Sequence, residues 1–257
     1  MRSDRKLSPD VIYEMVAKVG FRKHFHLGGF EATRELVELC QIDRNEHVLD
    51  IGCGSGRTAC YIAKRYGCKV LGVDLLQGMV TRSNERARRE DVKDRVEFQV
   101  GDAQELPFQN ELFDVVIGEF ITGLLEVKHR GVKEYLRVVK PGGTIGLNEA
   151  TWIKTPPPTE LVGYLSKVFG VRGEILDSDG WREILEGAGL RNIIVRTNKV
   201  DALSNKRDDI SDLLRTLPMV LYMYARSSVF RRFIQESLSI PKNLLEYFGY
   251  GLYVGRR

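Results

Sequence analysis

Cysteine is scarce in this 257-residue chain, and its four thiols, Cys40, Cys53, Cys60 and Cys68, show no Cys-x-x-Cys spacing. A disulfide framework or a thiolate metal site has no basis in such a pattern, and no metal is expected. The first residues lack the charged start and apolar middle of a secretory signal, so a cytoplasmic protein is the expectation. Long hydrophobic runs are missing too. A membrane span needs ~18 apolar residues in a row, and the most hydrophobic late stretch, LLRTLPMVLYMYARSSVF, is broken by Arg215, Pro218 and Arg226. Stable membrane insertion is excluded on that reading, while a peripheral contact stays open. Charge of one sign is not concentrated: 39 Lys and Arg face 35 Asp and Glu, a net charge of +4, scattered rather than gathered in a block. A nucleic-acid partner gains little support from that distribution. No internal repeat or low-complexity tract interrupts the chain.

What is present is ordinary globular material. Hydrophobic residues make up 43% and charged residues 29%, enough apolar surface to offset the cost of ordering the backbone. The length suits one large domain with a generous insertion better than two unrelated domains. From residue 46, short apolar runs alternate with helical stretches: EHVLDI, RTACYIAKRYG, CKVLGVD, QGMVTRSNERARRED, RVEFQV, LFDVVIGEF, VKHRGVKEYLRVVK and TIGLNEA. Strands separated by helix-length segments imply βαβ units, a parallel sheet and helices on both faces. The near-continuous apolar run in LFDVVIGEF fits a strand buried on both sides. Residues 1–44 read as N-terminal capping helices, 45–150 as a ligand-binding core, and 151–257 as the remainder of the same domain. That remainder holds the strand RNIIVRT, a helical insertion at 201–249 and a final strand GYGLYVGRR.

The stretch VLDIGCGSGRTACYIA, residues 48–63, is a strand, a glycine-rich turn and a helix. Gly52, Gly54 and Gly56 allow a tight turn and a close approach of ligand to backbone, and the following helix N-terminus aims amides at that ligand. A dinucleotide fingerprint would need glycine at position 57, which is Arg57. Asp50 at the mouth of the turn would repel a pyrophosphate and attract an ammonium. Charge sign therefore favours S-adenosylmethionine over a nicotinamide cofactor. Asp74 ends the second strand at the place where an acid accepts hydrogen bonds from ribose hydroxyls, with Leu75 and Met79 just beyond it in the same cofactor-binding set. Asp102 and the backbone of Ala103 are placed to meet the adenine edge. KPGG, residues 140–143, reads as the turn into the fifth strand.

The series DIGCGSG, GVD, GDAQELPF, FDVVI and LRVVKPGG resembles the Rossmann-like, class I S-adenosylmethionine-dependent methyltransferases. The branch it is most similar to contains the ubiquinone/menaquinone C-methyltransferases and the sterol side-chain methyltransferases. The resemblance covers residues 45–150. It implies a doubly wound, seven-stranded, mostly parallel α/β sheet whose antiparallel last strand, GYGLYVGRR, lies beside RNIIVRT. It also implies that Asp50 orients the methionine end of the cofactor, Asp74 holds the ribose and Asp102 meets the adenine.

Glu119 and Glu149 follow the fourth and fifth strands, where open α/β sheets bind ligands. Each is a candidate catalytic carboxylate facing the acceptor, and Glu119 is a candidate cofactor contact as well; ion pairing or capping is the plainer alternative. His24 and His26 sit beside Gly28 and Gly29 in HFHLGGF, where a closing segment would bring a base, His26 being the candidate, over the cofactor; a structural loop is the plainer alternative. Trp152 lines the same cleft or is simply packed. The leading expectation is methyl transfer to a small or lipid-like acceptor, namely a quinone, an isoprenoid or sterol, a phenol or an amine. A nucleic-acid methyltransferase is the rival. Exocyclic-amine enzymes of that class usually carry Asn/Asp-Pro-Pro-aromatic after the fourth strand, where this chain has Gly118, Glu119, Phe120 and Ile121, and no Pro-Cys nucleophile occurs. A catalytically silent cofactor-binding protein and a homodimer both stay open. The insertion at 201–249 reads as a lid over the acceptor, with a buttress or an interface as the alternative.

Overall fold

A computed structural model describes residues 27–169, 174–200 and 217–257 of the chain. Helix α1 (Gly29–Cys40) leads into β1 (His47–Ile51), α2 (Arg57–Tyr66), β2 (Lys69–Asp74), α3 (Gln77–Arg89), β3 (Val96–Val100) and β4 (Phe113–Glu119). A 3-10 turn (Thr122–Leu124) precedes α4 (Lys128–Val138), β5 (Val139–Trp152), α5 (Thr159–Phe169), α6 (Ser178–Ala188) and β6 (Arg191–Lys199). The described end of the chain is helix α7 at 217–226, α8 (Ser228–Leu238), α9 (Leu244–Tyr247) and β7 (Phe248–Arg256).

The strands form one seven-stranded sheet in the order β3-β2-β1-β4-β5-β7-β6. The first five run parallel, and β7 is antiparallel to both β5 and β6. The order reverses between β1 and β4, so the carboxyl ends of these two strands flank the crevice where such sheets take ligands. Strand alternation divides the core into two layers. Val115 and Ile117 of β4 join Leu36, Val37 and Ile62 of α1 and α2 on one face. Val116, between them, joins Tyr135, Leu147, Trp181 and Tyr253 on the other. Helix α1 lies close on the sheet because Gly146 of β5 has no side chain: a Cβ there would come 2.4 Å from the Cys40 sulfur.

The seven-stranded mixed sheet is the fold the sequence implies. One local expectation fails. KPGG is not a turn before β5 but part of it, since α4 ends at Val138 and the strand begins at Val139. Gly142 takes the left-handed φ of +78°, and the last residue pairs beside it: the Gly142 amide donates to the Arg257 carbonyl at 3.0 Å and the Arg257 amide to the Gly143 carbonyl at 3.0 Å. A distant partner thus turns a turn-like sequence into strand. Of the expected capping helices only α1 is described, and residues 1–26 lie outside. Within the expected insertion, 201–216 lie outside the described residues, 217–247 are largely helical, and the last strand begins at Phe248. No helix among the described residues is long and apolar enough to cross a membrane.

Candidate functional site

Between β1 and α2 the backbone bends through three glycines, at φ +66° for Gly52, +53° for Gly54 and +71° for Gly56. These are conformations in which a side chain is costly. The three differ in what surrounds them. A Cβ on Gly52 would sit 3.0 Å from Cγ1 of Ile121, and one on Gly56 would lie 2.7 Å from the Phe98 ring. At Gly54 a Cβ would meet nothing within 4 Å. The crest of the loop therefore opens onto free space while its two feet are packed. Helix α3 holds that crest: the Ser83 hydroxyl donates to the Gly54 carbonyl at 2.9 Å, and Nε of Arg86 donates to the Ser55 carbonyl at 2.8 Å. Sequence reading missed both residues. Their i,i+3 spacing, which puts them on one helix face, is the only signal they carried.

Carboxylates ring the loop. At the end of β2, Asp74 accepts from the Gly54 amide through Oδ2 and from the Leu76 amide through Oδ1, both at 2.9 Å. Burial raises its pKa against the pull of those amides. Asp50, fully enclosed at the end of β1, accepts from the Ala59 amide in the first turn of α2 at 3.1 Å. Its pKa is pushed well above the ordinary carboxylate range, by burial first and then by the Glu119 charge, with Asp74 adding to the same direction. Glu119, at the end of β4, takes the Thr58 hydroxyl at 2.7 Å, the Thr33 hydroxyl at 3.0 Å and the Asn148 side-chain amide at 3.4 Å. Asp50 thus feels the charges of both Glu119 and Asp74, an arrangement that favours a cation. Past β3, Asp102 accepts from the Gln104 amide at 2.8 Å and Ala103 is buried. Leu75 is 62% exposed beside Asp74, whereas Met79 is buried.

Glu149 does not join Glu119. Glu119 pairs in register with Asn148, so the next residue of β5 points to the opposite face of the sheet. There Glu149 is completely buried and accepts from the backbone amides of Thr122 (2.7 Å), Gly123 (3.0 Å) and Ile121 (3.3 Å). Burial raises its pKa to about 7 even so. His26 and His24 lie outside the described residues. Trp152 is packed, meeting the Phe248 ring edge-on with centroids 5.8 Å apart. It belongs to a third apolar cluster, with Ala150, Leu161, Leu165 and Leu244, against which Leu27, Phe120 and Tyr164 lie partly exposed. Phe120 directly follows Glu119 and holds a left-handed φ of +58°, a strained conformation for an aromatic residue. That bend places the apolar cluster next to the carboxylates.

Residues 48–143, which contain the glycine loop and all the acids except Glu149, match the family model described as a methyltransferase domain. That segment is a class I S-adenosylmethionine-dependent methyltransferase domain. It is 29% identical over 199 residues to an uncharacterized protein of Haemophilus influenzae, an alignment covering 77% of this chain and 78% of the relative. It is 30% identical over 180 residues to phosphoethanolamine N-methyltransferase 1 of Zea mays, covering 69% of this chain and 34% of the maize enzyme, so the chain spans about a third of that enzyme's length. The fold matches phosphoethanolamine N-methyltransferase 2 of Haemonchus contortus, solved with S-adenosyl-L-methionine, at a TM-score of 0.69 and 19% identity, over 97% of this chain and 57% of that one.

S-adenosylmethionine is the family's cofactor, and the residues present fit it. The open crest at Gly54 gives the ligand direct access to the backbone, and the crowded carboxylates suit a molecule bearing an ammonium and a sulfonium. Asp74 would hold the ribose hydroxyls, Asp50 and Glu119 would face the methionine end, and Leu75 with the Asp102–Ala103 turn would border the adenine.

Proposed function

We propose that the chain transfers the methyl group of S-adenosylmethionine to a small or lipid-like acceptor seated between Glu119 and the apolar cluster of Phe120, Tyr164 and Leu27. The observation that carries this reading is the adjacency just described, an acidic cradle continuous with an aromatic wall. Bound S-adenosylmethionine supplies an electrophilic methyl carbon on a positively charged sulfur. The protein's part is alignment: an in-line displacement gains most of its rate from holding the nucleophile ~3–3.5 Å from the carbon it attacks. Glu119, fixed by Thr33, Thr58 and Asn148, is the proposed group that takes a proton from an amine, phenol or carbon acid, or stabilises its positive charge. His26 is kept as a second proposed base. Glu119 answers to the cofactor as well as to the acceptor, which is why it is the central residue of this reading. The maize relative's name points to an amine acceptor, and the mixed acidic and aromatic lining suits a cationic amine with an apolar body.

The test is methyl transfer from isotope-labelled S-adenosylmethionine to a panel of amines, phenols, quinones and isoprenoids, with oligonucleotides alongside, products being identified by mass spectrometry. Label in a small molecule is the expected result. Label in the oligonucleotides alone, or cofactor binding with no transfer to any acceptor or to cell extract, overturns the proposal.

A further inference from the structure

We propose that Glu149 is a positioning residue for cofactor binding, fastening the Ile121–Gly123 turn from beneath so that Ile121 closes over the foot of the glycine loop. The inference rests on the methyltransferase reading only for the identity of the cofactor. Three observations support it. The Glu149 carboxylate, inside β5, gathers the amides of three consecutive residues, Ile121, Thr122 and Gly123, so one side chain holds the whole turn. Ile121 then reaches from the clamped turn to Gly52, where a Cβ would be 3.0 to 3.1 Å from three of its side-chain carbons. Gly123 meets the carboxylate so closely that a Cβ there would stand 3.1 Å from Oε2. A shift of the turn thus has to move Ile121 against the loop that carries the ligand's backbone contacts.

The surroundings make this clamp responsive to protons. Tyr135 of α4 and Tyr253 of β7 are both buried beside it with their hydroxyls held protonated, chiefly by burial and in part by the Glu149 charge. Lys128 of α4 feels the Glu149 charge. Its pKa is lowered by burial against the pull of Glu149 and Glu174. Asp177 and Asp179 at the start of α6 act on Tyr253 from the far side. Three amide donors bind the charged carboxylate more tightly than its protonated form, in which one oxygen carries a hydrogen. The clamp therefore tightens as pH rises through about 7, and cofactor affinity rises with it.

The experiment is calorimetric titration of the whole chain with S-adenosylhomocysteine from pH 5.5 to 8.5, for the wild type, Glu149→Gln and Ile121→Ala. Thermal melting of each and the KM for S-adenosylmethionine against kcat are measured alongside. The expected result is a cofactor Kd raised roughly tenfold at pH 8 in Glu149→Gln, with the step near pH 7 gone. Ile121→Ala, which spares the buried network, weakens binding several-fold and keeps the step, so it tests the clamp even if Glu149→Gln folds poorly. In both, KM for the cofactor rises more than kcat falls. Unchanged Kd with a lower melting temperature makes Glu149 merely structural, and unchanged Kd with lost kcat makes it a base; either overturns the inference. Because the titration needs no acceptor, failure to find a methyl acceptor leaves this result readable.

Discussion

Asp74 commits one carboxylate oxygen to the glycine loop and the other to the start of the next segment, so it joins two walls of the cofactor site before any ribose arrives. Replacing it with alanine removes charge-assisted bonds of about 1.5–3 kcal/mol. S-adenosylhomocysteine should bind about ten- to a hundredfold more weakly in calorimetry while far-ultraviolet circular dichroism stays unchanged. Glu119→Gln keeps the shape that Thr33 and Thr58 hold but removes the charge. Turnover on the identified acceptor should fall about a hundredfold, as for loss of a general base, with a smaller change in cofactor affinity, checked by steady-state kinetics beside calorimetry. The buried acids also set a pH signature of stability. Asp50, Asp74 and Glu149 all have folded-state pKa values raised above their unfolded ones. The native state thus binds the extra protons, and the stability this confers is present at low pH and lost as pH rises through the folded values. For Glu149, rising from 4.5 to about 7, the loss between those values is on the order of 3 kcal/mol. Urea unfolding of the ligand-free protein should show that decline, and Glu149→Gln should flatten part of it. The places of the glycines and of Asp50, Asp74 and Asp102 in the fold are legible in the sequence because each stands at a fixed point around a strand-turn-helix. The separation of Glu119 from Glu149 is not, because it depends on which residue of β4 lies opposite which residue of β5.

The segment carrying Asp102 and Ala103 is itself braced from α4. Glu134 accepts from the Leu106 amide at 2.8 Å, and Arg137 donates to the carbonyls of Leu106 (3.0 Å) and Phe108 (2.7 Å) while pairing with Glu134 at 2.6 Å. No position in GDAQELPF announces this support, since both braces stand one helix further along the chain. Arg137→Met should free the turn: cofactor affinity falls about three- to tenfold, in line with the ~0.5–1.5 kcal/mol of an ordinary hydrogen bond, and the melting temperature drops by only a few degrees. Equilibrium binding and differential scanning fluorimetry on the same samples check both halves. The parallel strands were legible as elements because burial on both faces leaves unbroken apolar runs, as in Val115, Val116 and Ile117. The KPGG segment was misread for the complementary reason: glycine and proline signal a turn locally, and only the approach of Arg257 turns that signal into strand.

Helices α8 and α5 pack together, so the described part of the late insertion is anchored beside the third apolar cluster. Leu221 and Tyr222 of α7 remain about 60% exposed. Replacing residues 201–240 with a Gly/Ser linker, which leaves the buried Leu244 in place, is expected to preserve S-adenosylhomocysteine binding and abolish acceptor methylation; retained turnover would remove the lid from this account. The register of β7 has a further consequence for how the chain is made. Every residue from Thr144 to Trp152 waits for a partner between Phe248 and Arg256, and β6 has no other neighbour in the sheet. During synthesis the cofactor-binding half can collapse early, but two strand edges stay open until the closing segment leaves the ribosome. Open edges invite pairing with other chains. A chain stopped at residue 247 should therefore emerge with its glycine loop already built and still be lost to aggregation.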